Sequence, residues 1–171
     1  MALALVDLLA STALTARLGP VHVGASWEAV TSALAADPSE IGYPTRPRSR
    51  LPRLYGYGDL EISVCRCREV RLVSVPTWRE TVDLPPELTG GTGSFPGAPS
   101  YADVVTALER AGCPWEPHPA LTFGDQRTLR IPSTSAAFTF VVPAAGEPSL
   151  HALGLPDNGH ECPPSQDRRK L

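Results

Sequence analysis

The spacing of apolar residues changes several times along the chain, and each change marks an expected element. In the opening stretch, MALALVDLLASTALTA, Leu5, Leu8, Leu9 and Thr12 recur at helical intervals, which predicts an amphipathic helix within residues 1–20. A second helix is expected in VGASWEAVTSALAAD (23–37). There the Ser26 hydroxyl is placed to cap a free backbone N–H, Trp27, Val30 and Leu34 share one face, and Pro38 ends the run. EIGYPTRPRSRLPR (40–53) reads as a proline-stiffened loop carrying Arg46, Arg48, Arg50 and Arg53. Period two then takes over in YGDLEISV (57–64): Leu60, Ile62 and Val64 face one way, Glu61, Ser63 and Cys65 the other, as in a strand with one buried side. REVRLVSVPTW (68–78) follows with almost no spacer, so a hairpin closed by Pro76 is expected.

RETVDLPPELTGGTGSFPGAPS (79–100) has no periodicity and much Gly and Pro, and is expected to be a linker. The earlier pattern then resumes. Ser100 and Asp103 suggest a capping box, Tyr101, Val104 and Leu108 an apolar helix face, and Gly112 with Pro114 a stop. LTFGDQRTLRIP brings a second aromatic-Gly-Asp triplet ahead of Leu129 and Ile131, and SAAFTFVVP another strand through Phe138, Phe140 and Val142. Trp27, Val30 and Leu34 match Tyr101, Val104 and Leu108 at an offset of 74, while the triplets at 57–59 and 123–125 match at 66.

The expected fold is therefore α+β, with two tandem helix-plus-antiparallel-sheet repeats around a shared core. Its divisions are an N-terminal helix (1–20), a first repeat (21–79), a linker (80–99), a second repeat (100–155) and a disordered tail (156–171). Neither half buries enough apolar surface to stand alone.

Composition sharpens this picture in a few places. Proline supplies 19 of 171 residues, about twice the usual share of about 5%, which disfavours a helical bundle. A formal charge of −3 gives no reason to expect nucleic acid or a membrane surface as partner, and the arginine loop reads as solvated. The first basic residue, Arg17, comes after the N-terminal apolar run, so a helix is preferred to an export signal and a cytoplasmic location is expected. Cys65, Cys67, Cys113 and Cys162 are then expected as free thiols. A zinc site from Cys65, Cys67, His160 and Cys162 is set aside, because Cys-x-Cys is not the usual Cys-x2-Cys and the last two ligands lie in a proline-rich tail. Cys65 and Cys67 read instead as half-buried residues on one strand face, and no metal or cofactor is expected.

The triplets admit two readings. As a structural corner, Gly58 and Gly124 supply backbone freedom, Asp59 and Asp125 accept a backbone N–H, and Tyr57 and Phe123 anchor the turn in the core. As chemistry, Asp59 and Glu61 would form an acid–base pair, but no His, Lys or further acid accompanies them, and the second copy has Arg127 in place of Glu61. The corner is preferred. A phosphate loop, a Gly-x-Ser-x-Gly elbow and a His-Glu-x-x-His motif are all missing from the sequence. His22, His118, His151 and His160 are scattered in expected loops, and Cys113 follows a helix C-terminus, which disfavours a thiolate.

VGASWEAVTSAL, YGYGDLEISV and REVRLVSVP together resemble small bacterial immunity-type proteins that carry a Val-x-Gly-x-Ser/Thr helix start and a Tyr/Phe-Gly-Asp-Leu/Val-Glu strand; the resemblance covers residues 21–76. The two-repeat plan is similar to the tandem-repeat beta-lactamase inhibitory protein and to the outer-membrane assembly lipoprotein with the same repeat. These resemblances imply a non-enzymatic protein-binding module that neutralises a partner toxin or enzyme. They transfer no functional residue. Tyr55, Tyr57, Asp59 and Glu61 are expected as protein contacts, with Trp78 and Trp115 as anchors where loops leave them exposed. The alternative is a small-molecule-binding protein or enzyme using a cleft between the repeats. The sequence leaves the oligomeric state open.

Overall fold

Leu5–Thr15 forms the first helix (α1) of the computed structural model, which describes residues 4–42, 52–91, 93–157 and 159–163. Leu5, Leu8, Leu9 and Thr12 point inward at the expected spacing. Trp27–Ala33 (α2) starts where Ser26 accepts a hydrogen bond from the Ala29 N–H. Four strands follow: Ser39–Ile41 (β1), Arg53–Tyr57 (β2), Leu60–Val64 (β3) and Val70–Pro76 (β4). Next come Thr81–Asp83 (β5), the short helix Pro86–Thr89 (α3) and Ser94–Pro96 (β6). Tyr101–Arg110 (α4) opens with a complete capping box between Ser100 and Asp103. Glu116–Pro117 (β7), a 3-10 turn at Pro119–Leu121, Gln126–Arg130 (β8), Ala137–Val141 (β9) and Ser149–Leu155 (β10) complete the elements of the described residues. Arg46, Arg48 and Arg50 of the arginine loop lie outside the described residues. No helix among the described residues is long and apolar enough to cross a membrane.

The fold is α+β. Eight strands form one antiparallel sheet in the order β1-β2-β3-β4-β10-β9-β8-β7, and β5 pairs with β6 in a separate ribbon. Alternation sends Tyr57, Leu60, Ile62, Val73, Val75, Leu129, Phe138, Phe140, Leu153 and Leu155 to one face. The helices cover that face. Trp27 stacks on Tyr55 at 4.6 Å between ring centroids, and Tyr101 meets Phe140 edge-on at 5.1 Å. Burying each large apolar side chain stabilises the fold by about 1.5–3 kcal/mol, so this layer is its main support.

The strand order is the same counted from either edge, with β4 and β10 antiparallel at the centre. The helix starts are tied to those two strands in the same way. Trp27 N–H donates to the Arg68 carbonyl at 2.8 Å, and Tyr101 N–H to the Pro148 carbonyl at 2.9 Å. Val70 N–H donates to Ala25 at 2.9 Å, and Leu150 N–H to Pro99 at 2.8 Å.

The two triplets do not share a place in this scheme. Tyr57-Gly58-Asp59 is the tight turn joining β2 to β3, with Tyr57 3% exposed. Phe123-Gly124-Asp125 joins the 3-10 turn to β8, and Phe123 is 63% exposed. The expectation that both aromatics anchor in the core thus fails for Phe123, because no element among the described residues covers it.

The expected linker is also more than a connection. Val82, Leu84, Leu88 and Phe95 are buried in the common core. Their spacing follows a ribbon and one helical turn, so it shows no single period.

Candidate functional site

On the face away from the helices, alternation presents Leu54 and Gly56 of β2, Glu61 and Ser63 of β3, and Leu72 and Ser74 of β4. β10 contributes Ala152 and Gly154, and β9 contributes Ala137, Thr139 and Val141. Apart from buried Gly56 and exposed Leu72, these residues are half-buried, as expected for short side chains on an uncovered sheet. Open faces of antiparallel sheets are usually polar. Here the five strands carry small or apolar residues and a single charge, Glu61. Its cross-strand neighbours are Gly56 and Ser74, so the carboxylate stands above its surroundings. Trp78, just beyond β4, is 55% exposed, stacks on His151 with centroids 6.3 Å apart, and has the Arg79 guanidinium 5.2 Å from its ring centre.

The expected contact residues separate by this geometry. Glu61 and Trp78 are available. Tyr55 packs against Trp27 on the helix side, and Trp115 is half-buried against the core. Tyr57 and Asp59 cannot serve as contacts, since both are buried at the β2–β3 turn. The Asp59 carboxylate accepts from the Asp83 N–H at 2.8 Å and pairs with Arg79 at 3.3 Å. A Cβ on Gly58, at φ +62°, would lie 2.5 Å from the Asp83 carbonyl oxygen. The first triplet is therefore a corner that fastens the β5–β6 ribbon to the sheet. Asp125 is exposed. Asp59 and Asp125 lie at the same end of the sheet, but β3 and β8 are four strand spacings apart, about 19 Å. The two carboxylates do not form a shared acidic pocket.

At the opposite end of the sheet, the turn between β3 and β4 gathers the four side chains that the sequence analysis considered together and set aside. Cys65 and Cys67 sit in this turn and not on a strand. Arg68 (φ +63°) reverses the chain, and the Cys65 N–H donates to the Glu69 carbonyl at 3.0 Å. After β10 the chain returns to this turn. The Asp157 side chain accepts from the Gly159 and His160 N–H groups and pairs with buried Arg71. This carries His160 and Cys162 to the two turn cysteines, so the described part of the tail, 156–157 and 159–163, returns to the sheet.

One ligand atom from each of Cys65, Cys67, His160 and Cys162 lies within 4.8 Å of all the others. Cys67 Sγ is 2.8 Å from Cys65 Sγ, 3.0 Å from His160 Nε2 and 3.6 Å from Cys162 Sγ, while Cys65 Sγ is 3.8 Å from His160 Nε2. The sulfurs are not joined by disulfides. Burial and the neighbouring thiols push the Cys67 thiol up to about 12. For Cys162 burial acts upward, but hydrogen bonds involving Cys67, Cys65 and Arg66 outweigh it and lower the value. Cys113 lies outside the group, and burial raises its thiol.

Neither a groove at the start of α1 nor a smaller pocket beside Arg17 and His22 holds a comparable cluster of thiols. The groove, of about 570 Å³, runs between the start of α1 and residues 94–100; Ser100 and Asp103 on its wall are already committed to the helix cap. No protein-family model, curated protein or solved structure matches this chain.

Proposed function

We propose that this chain is a non-enzymatic protein-binding module of the immunity or inhibitor kind, and that the uncovered sheet face is its docking surface. The observation that carries this reading is the composition of that face across β2, β3, β4, β10 and β9: small and apolar side chains with Glu61 as their one charge, the next charges being the Arg130–Glu116 pair at the β8–β7 edge. An apolar patch of this breadth left open on one side is characteristic of association surfaces. Short side chains admit bulky groups from a partner, and Glu61 selects a partner with a basic residue at the centre of its contact. Leu72 and Trp78 supply the larger apolar contacts.

Duplication is part of the proposal. The unit running from α2 to β4 corresponds to the unit running from α4 to β10, related by a two-fold axis normal to the sheet between β4 and β10. Support comes from the palindromic strand order and the matched ties at the helix starts, which relate the helices at an offset of 74 and the central strands at 80. The triplets belong to different places in this register, so they are not the repeat's signature.

The test is affinity capture from the native host with the wild-type chain and with Leu72→Arg and Glu61→Arg variants. One stoichiometric protein retained by wild type and lost from both variants supports the proposal. Equal retention by wild type and variants, or capture of no protein by wild type, overturns it.

A further inference from the structure

We infer that Cys65, Cys67, His160 and Cys162 form a structural zinc site that fastens the C-terminal segment to the β3–β4 turn. Three sulfurs and an imidazole nitrogen make the closed, four-ligand set of structural zinc, and such soft donors disfavour magnesium or calcium. The remaining separations decide whether an ion fits. Tetrahedral zinc–thiolate bonds of about 2.3 Å place neighbouring ligand atoms about 3.7 Å apart. The Cys67–Cys162 and Cys65–His160 separations, 3.6 and 3.8 Å, meet this directly. Cys67 lies closer, 2.8 Å from Cys65 and 3.0 Å from His160. Binding then requires Cys67 to move outward by about an ångström, within reach of a side chain on an exposed turn.

The surroundings are those of a metal ligand set. His160 Nδ1 lies 3.1 Å from Glu69 Oε2, so a proton held there leaves the Nε2 lone pair facing the sulfurs. Arg66 donates to the Pro163 carbonyl at 2.6 Å and to the Cys162 carbonyl at 3.4 Å, which holds the Cys162 backbone at the turn. Arg66 also places a positive charge beside a site whose three thiolates exceed the charge of one divalent ion. The Cys-x-Cys spacing is no obstacle, because the pair lies on a reversing turn where both side chains converge. The turn between β9 and β10, at the corresponding place in the other half, carries no cysteine, so the site belongs to one half alone.

The site is tested on the full-length chain, reduced and stripped of metal, by titration with cobalt(II) followed by zinc(II). The expected result is one equivalent of cobalt per chain, with the visible bands of tetrahedral cobalt and a thiolate charge-transfer band, all abolished by zinc. Cys162→Ser and His160→Ala lie after the last strand and outside the buried core, and each loses the saturable tetrahedral spectrum. Glu69→Gln retains it but weakens binding by about ten- to hundredfold. Amide exchange in 159–163 slows with zinc and speeds up with a chelator. Failure of wild type to give the charge-transfer band, persistence of that band in both tail variants, or a mass decrease of two hydrogens without metal uptake each overturns the site.

Discussion

The two faces of the eight-stranded sheet are built from the same strands in the same alternation, yet they are chemically different. Toward the helices, β3, β4, β9 and β10 present Leu60, Ile62, Val73, Phe138, Phe140 and Leu153, all buried. Away from the helices, the same strands present Glu61, Ser63, Leu72, Ser74, Thr139, Ala152 and Gly154. Large side chains fill the space beneath α1, α2 and α4, whereas the outer face is kept low and nearly uncharged. A face that only met water would carry more polar and charged groups. The contrast separates the side that packs against the helices from the open side, which is proposed above as the docking surface.

Substitutions on the covered side sharpen this division most strongly. Phe138→Ala empties a fully buried position and lowers unfolding free energy by about 3–5 kcal/mol, read as a shift in denaturant midpoint. A smaller loss separates the two triplet turns. Gly58→Ala meets the Asp83 carbonyl as well as the left-handed torsion and costs about 2–3 kcal/mol, whereas Gly124→Ala meets open space and costs about 1 kcal/mol. Equal losses would mean that the corner at the β5–β6 ribbon is not a special contact.

The smallest effect is expected at Tyr57, whose buried hydroxyl has no hydrogen-bond partner among the described residues. Tyr57→Phe is neutral or stabilising by up to about 1 kcal/mol. Burial, and then the negative field of Asp37, raise the Tyr57 phenol above its ordinary value. The unfolded chain therefore ionises first: stability is intact below the ordinary phenol value and declines as pH rises through and above it. Denaturation at alkaline pH checks this, because the phenylalanine variant lacks that decline.

Much of the fold was legible in local sequence, since caps and periodicity act over a few residues. Ser26 and Ser100 mark the true starts of α2 and α4, and the alternation of Leu60, Ile62 and Val64 gives β3 with its buried side. Trp27 and Tyr101, paired in the sequence at an offset of 74, each donate the backbone N–H to a carbonyl just before a central strand. The triplets misled because three identical residue classes do not specify what packs over them: β5 covers Asp59, and no element among the described residues covers Phe123. The thiol–imidazole group was considered in the sequence and set aside on its Cys-x-Cys spacing and proline-rich tail. Its halves are separated by 93 to 97 positions in the chain, and they meet only because β10 lies beside β4 and returns the chain to the β3–β4 turn. Ligand spacing along the sequence carries no trace of that meeting.

The outer face as a docking surface is tested most directly by radical footprinting of the isolated complex against the free chain. Protection concentrated at Leu54, Leu72 and Trp78, with unchanged labelling along the exposed sides of α1 and α4, is the predicted outcome. Protection along those helices, with Leu72 and Trp78 labelled as in the free protein, would contradict it.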